Sequence, residues 1–270
     1  MENLGLSHKV TMTTDARSRG QVGAADIAFF AAMGRVELET LLHSERAFER
    51  TCAAILLAHF NDALTVAQLC QQLLIEKKLY TKIALCEALV KCAELSVSPL
   101  IGLLGRIGNN QEADVPSKGF YKRSYPLPRD IAARTICRLG IVAIAPLETF
   151  MESSDDLHGI AQALDAYGHI IYTMGLTHPS SSLQMLYRRY AGNALLRYKI
   201  ARCLSGFRDE WSSSLLLNML RTDHPGHQLE ALRSSLLSGV TIPPDIQILL
   251  TGELGRLHAF LTTRSGGIWR

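Results

Sequence analysis

The chain has 270 residues, of which 47% are apolar, 20% charged and 7% aromatic, with 28 lysines and arginines against 25 aspartates and glutamates. These proportions exclude a disordered chain, and a balance of Leu and Ala over aromatics favours helices over a β-sandwich. A net charge of +3 does not by itself demand a nucleic acid, and no apolar run approaches the ~18 residues of a membrane span.

Residues 1–22 are polar, lack the apolar stretch of a signal peptide and read as a loose arm. Residues 23–261 read as a single domain, and 262–270 as a tail. The segment Ala24 to Leu42 is rather apolar for a terminal cap, so residues 1–22 or a second subunit are expected to cover it. The six cysteines, Cys52, Cys70, Cys86, Cys92, Cys137 and Cys203, form no CxxC pair and mostly lie in apolar helical stretches. They read as reduced core thiols of a cytoplasmic protein.

A ten-residue pattern recurs as ALCEALVKCA (84–93), IAARTICRLG (131–140), GIAQALDAYG (159–168) and KIARCLSGFR (199–208). Its sixth position is Leu89, Ile136, Leu164 and Leu204, and its ninth Cys92, Leu139, Tyr167 and Phe207. That spacing places the apolar residues on one helical stripe. Gly140 and Gly168 are expected to stop their helices at positive φ. Pro99 and Pro146 each follow the final position by six residues and suit the first turn of a second helix, SPLIGLLGRI or APLETFMES. Weaker copies end at His59 and Gly239, giving a period of roughly 30–40 residues. The spacing therefore predicts an all-α chain of about six helical hairpins.

The stretch RDIAARTICRLGIVAIAPLETFM (129–151) resembles a HEAT repeat of the short bacterial type, also found in phycobilin lyases. The resemblance is strong over 79–107 and 129–172 and looser over the rest of 46–256. It implies an α-α superhelix, a solenoid of stacked antiparallel helix pairs. Such repeats mostly serve as binding surfaces.

The regular period breaks at 108–128, GNNQEADVPSKGFYKRSYPLP, which contains three prolines. Loops of this length are often functional. Lys118, Phe120, Tyr121, Lys122, Arg123, Tyr125 and Arg129 interleave cations with aromatics, a composition suited to binding anionic or flat groups or to anchoring a protein interface. It equally suits a loop whose aromatics pack over the helices. A second cluster, Tyr187, Arg188, Arg189 and Tyr190, ends a predicted second helix. Lys77, Lys78, Arg106, Arg221 and Arg256 lie at similar ends. These cations complement helix dipoles and could also line up as a basic ridge.

Asp223, His224 and His227 could supply three metal ligands, but Pro225 and Gly226 between the histidines read as a turn, and no metal or other cofactor is assigned. No GxSxG, P-loop, GxGxxG or HExxH motif occurs, and no catalytic residue is assigned. Gly102, Gly105 and Gly108 read as the end of a helix. Cys137 and Cys203 lie on apolar stripes, where burial should make them inert. Asp165 and Glu87 are expected on exposed helix faces. These features point to a non-enzymatic module that offers a curved helical surface to a protein partner. The resemblance leaves two alternatives open: nucleic-acid binding, as in HEAT-like DNA glycosylases, and a bilin-lyase-like role with a small ligand.

Overall fold

Every regular element among the described residues is a helix. The structure is a computed structural model that describes residues 14–222 and 224–263. Residues 1–13 of the predicted arm, 264–270 of the predicted tail, and Asp223 lie outside the described residues. The chain divides into two compact units, with the boundary between Pro99 and Leu100.

The first unit holds α1 (Thr14–Ser18), α2 (Ala24–Phe30), α3 (Arg35–Leu41), α4 (Ala47–Leu57), α5 (Ala63–Ile75) and α6 (Leu79–Lys91). Helix α4 is central: α1, α2, α3 and α6 all pack on it. Its buried side chains include Cys52, Ala53 and Leu57. Residues 14–20, assigned to the loose arm from sequence, pack here. Arg17 pairs with Asp26 at 2.7 Å and lies over the Phe48 ring. Gly20, at φ +93°, comes so close that an added Cβ would sit 2.3 Å from Thr81 Oγ1.

Two ion pairs set the starts of α5 and α6. Asp62 caps α5 by accepting from Thr65 N and is held by Arg35. Glu76, buried between α5 and α6, accepts from Arg50, Gln72 and the backbone of Lys77 and Lys78. Burial alone would raise its pKa, yet the donors together hold it down at about 2.

Two copies of the pattern, those ending at Ala93 and Gly140, share a backbone signature. After α6, Ala93 stands at φ +48°, and a short 3₁₀ turn (Ala93–Ser96) leads into α7 (Val97–Ile101). After α8 (Ile131–Leu139), Gly140 stands at φ +70°, and a matching 3₁₀ turn (Gly140–Ala143) leads into α9 (Ile144–Ser153). The left-handed region strains alanine but not glycine. Ala93→Gly is therefore expected to stabilise the protein by about 0.5–1 kcal/mol, seen as a higher urea midpoint; a lower midpoint would contradict the backbone assignment.

Other expectations need correction. The predicted second helix SPLIGLLGRI stops at Ile101, and the chain continues in turns that bury Leu103, Leu104 and Ile107, with Gly105 and Gly108 at φ +76°. Gly168 does not stop a helix. It lies inside α10 (Leu157–Met174), which ends at Gly175 in the left-handed region. Its lack of a side chain serves packing instead: a Cβ there would meet Tyr125 Oη at 2.1 Å and Cys203 Sγ at 2.8 Å.

The second unit continues with α11 (Ser181–Arg189), α12 (Ala194–Cys203), α13 (Glu210–Thr222), α14 (Pro225–Ser238), α15 (Pro244–Gln247) and α16 (Gly252–Thr262). Helices α8, α10, α12, α14 and α16 each pack on the next in that order. Helices α9 and α10, α11 and α12, and α13 and α14 also pair, and α9 packs on α11. Asp130, fully buried, closes the long connection before α8. It caps α8 at Ala133 N and accepts from Gly105 N and the Gln111 amide. Among the described residues, no helix is long and apolar enough to cross a membrane.

Candidate functional site

The loop 108–128 lies across α10, α12, α14 and α16, joined to the first three by a chain of buried charges and to α16 by exposed contacts of Tyr121 and Arg123. On α12, Lys199 and Arg202 are three residues apart and share a face; both are almost fully buried. From α10, Asp165 accepts from Lys199 Nζ and from Arg202 Nη1. From the loop, Glu112 reaches the same two cations, at 2.6 Å from Lys199 Nζ and 2.9 Å from Arg202 Nη1. Arg202 Nη2 donates to the Tyr198 hydroxyl, which donates to Glu230 of α14. Glu230 also accepts from Arg233 at 2.6 Å.

Arg233 is completely buried. It donates to the Lys122 and Ser124 carbonyls and lies 5.0 Å from the centre of the Phe120 ring. Further along, Tyr121 donates to Glu253 and packs edge-on against Phe260. Arg123 donates to the Phe260 and Thr263 carbonyls at the end of α16, and its own carbonyl accepts from Tyr172.

Three buried cations, Lys199, Arg202 and Arg233, thus face three carboxylates, Asp165, Glu112 and Glu230. The set is neutral only while Glu112 is in place. Desolvation pushes the Glu112 pKa up, but Arg202 and Lys199 outweigh it and hold the carboxyl at about 2. Burial raises the Tyr125 hydroxyl well above its ordinary range, and lifts the Cys203 thiol to about 12 and the Cys137 thiol still further. Burial therefore favours the protonated form of both thiols.

Between loop and helices lies a cleft of about 320 Å³, lined by Glu112, Phe120, Lys122, Ser124, Tyr125, Pro126, Leu127, Arg129, Asp165 and Arg202. Four of the residues selected from sequence therefore meet here: Phe120, Lys122, Tyr125 and Arg129. Tyr125 is buried, edge-on to His169 and beside Tyr172. Lys122 and Arg129 are exposed, and neither makes an ion pair with a described residue. Lys118 is exposed on the same loop. Tyr121 and Arg123 lie outside the lining and bind α16.

The Tyr187–Tyr190 cluster contributes nothing to this cleft. Arg189 pairs with Asp155 at 2.6 Å, and Tyr190 donates to the Ser154 carbonyl. Tyr187 accepts from Arg197 and packs on Trp211, while Arg188 is exposed. Arg221 pairs with Asp245 and Arg256 with Glu253, so these cations of the expected ridge carry their own counter-ions. His224 caps α14, and His227 Nε2 donates to the Ala194 carbonyl at 2.8 Å.

Asp165, expected on an exposed face, is buried, because the loop covers the outer side of α10. Lys199, Arg202, Glu230 and Arg233 were not singled out from sequence. A second group also escaped it. Glu148 accepts from Tyr167 and Ser182 and pairs with His178 beside a larger cleft of about 860 Å³ lined in part by Ile171, Leu176, Phe207, Arg208 and Leu237.

No family model matches the chain, and no curated protein matches it. Among solved structures, it is similar to two engineered proteins from the Northeast Structural Genomics Consortium. One shares 16% identity over 91% of this chain and 71% of that chain, with a TM-score of 0.38. The other shares 16% identity over 77% of this chain and 97% of that chain, with a TM-score of 0.34.

Proposed function

We propose that the chain is a non-enzymatic binding module whose second unit stacks HEAT-like helix pairs into a superhelix and receives a protein partner at the loop-built cleft. The succession α8, α10, α12, α14, α16, each packed on the next, supports the stacking. The matching left-handed positions at Ala93 and Gly140 support the repeat. All six cysteines are free thiols, which favours a cytoplasmic location.

One observation carries the binding role. The carboxylates lining the cleft are committed to Lys199 and Arg202, whereas Lys122 and Arg129 at its rim have no counter-ion among the described residues. Exposed cations beside an apolar wall suit capture of a partner of opposite charge. Lys122→Glu with Arg129→Glu is expected to lower partner recovery at least tenfold in quantitative affinity capture from the source cells, performed with nuclease, while leaving the thermal midpoint unchanged. Undiminished recovery would remove the cleft from the binding surface.

A further inference from the structure

We infer that the cleft recognises an acidic peptide segment, seating a carboxylate against Arg129 and Lys122 and an adjacent apolar side chain against Pro126 and Leu127. This rests on the binding-module reading and adds the chemistry of the partner.

Charge gives the first part. Within the cleft, Glu112 and Asp165 each contact both Lys199 and Arg202, so their negative charge is locally cancelled. Lys122 and Arg129 have no such partner among the described residues and leave two uncancelled cations at the cleft. Glu112 also shows how this part of the molecule holds a carboxylate: as a fork across two cations, with the guanidinium giving two donors. Arg129 offers a partner the same fork.

Shape gives the second part. Leu127 is 62% exposed beside these cations, an apolar group that gains by being covered. A cleft of about 320 Å³ accepts side chains, whereas a groove that follows a nucleic acid must track many phosphates. Aromatic stacking is also denied to a base. The Phe120 ring already has the Arg233 guanidinium at 5.0 Å and the Lys122 ammonium at 5.9 Å, and Tyr125 is buried. The acidic peptide is thus the favoured macromolecule.

The test is a selection of random twelve-residue peptides displayed on phage against the full chain. Recovered peptides are then measured by fluorescence anisotropy, at low and high salt, against the wild type, Arg129→Gln, Arg129→Glu and, as a charge control in the first unit, Lys91→Glu. The expected result is enrichment of Asp or Glu next to Leu, Ile or Phe. Affinity should fall about tenfold or more for Arg129→Glu and less for Arg129→Gln, be unchanged for Lys91→Glu, and weaken with salt. Peptides without acidic residues, or acidic peptides indifferent to Arg129, would overturn the acidic specificity and leave the binding module standing. Recovery of no peptide, with a 20-base-pair DNA duplex bound along a steep salt slope, would overturn both. Recovery of no peptide and no duplex binding would overturn the inference, with partner capture deciding the module.

Discussion

Replacing Glu112 by alanine is expected to cost about 3–5 kcal/mol of stability, far more than a loop residue normally contributes. The side chain is the third carboxylate of a buried set of three and three, and it touches both Lys199 and Arg202. Without it, one buried cation has no counter-charge, and that desolvation cost falls on the folded state alone. Glu112→Gln keeps the shape and loses the charge, so it should be nearly as damaging.

The pH dependence carries the same signature. The Glu112 carboxyl has its folded pKa lowered from 4.5 to about 2. A depressed acid contributes stability that is complete above its unfolded pKa and lost as pH falls through the folded one. The wild type should therefore lose about 3 kcal/mol between pH 4.5 and 2 through this group, a component that Glu112→Ala lacks. Urea titrations at pH 7 and pH 3 measure both effects. Acetate or formate, supplied to Glu112→Ala, should restore part of the stability where chloride at equal ionic strength does not. Wild-type stability in Glu112→Ala at pH 7 would show that the loop carboxylate does not neutralise the buried cations.

Arg233→Met is the second large effect, again about 3–5 kcal/mol. Methionine keeps much of the apolar stem but removes the guanidinium. Glu230 then keeps the Tyr198 hydroxyl and an Arg202 Nε 3.9 Å away, and the Lys122 and Ser124 carbonyls lose their donor. Both substitutions release the same loop, so the second should cost less once the first has been made. The double variant is expected to be more stable than the sum of the singles implies, by more than about 0.5 kcal/mol. Strict additivity in urea unfolding would mean that Glu112 and Arg233 hold separate structures.

Much of the helical framework was legible because it follows local rules. Gly140 and Gly239 end their helices at positive φ where the pattern placed them, and Leu89, Ile136, Leu164 and Leu204 are all buried. Gly168 was misread because a glycine at a pattern's last position looks alike whether it ends a helix or admits a neighbour. Only Tyr125 and Cys203, distant in sequence, distinguish the two.

The site was legible in its loop and hidden in its helices. Phe120, Lys122, Tyr125 and Arg129 stand out as cations among aromatics in an irregular segment. Asp165, Lys199 and Arg202 lie on helix sides that the apolar period marks as polar, and a polar side is ordinarily wet. Here the loop covers that side. Nothing in the helical spacing says that Glu112, 87 and 90 residues before Lys199 and Arg202 in the chain, will reach them. Long-range charge pairing of this kind has no local sequence signature.

The attachment of the loop is most directly tested by limited trypsin digestion of the wild type, Glu112→Ala and Arg233→Met in native buffer, with cleavage sites assigned by mass spectrometry. Lys118, Lys122 and Arg123 are the cleavable positions in 108–128. The expected result is slow cleavage there in the wild type and cleavage at least tenfold faster in both variants while their helical circular dichroism persists. Rapid cutting of the wild type at these three positions would contradict a loop fixed by the buried charges.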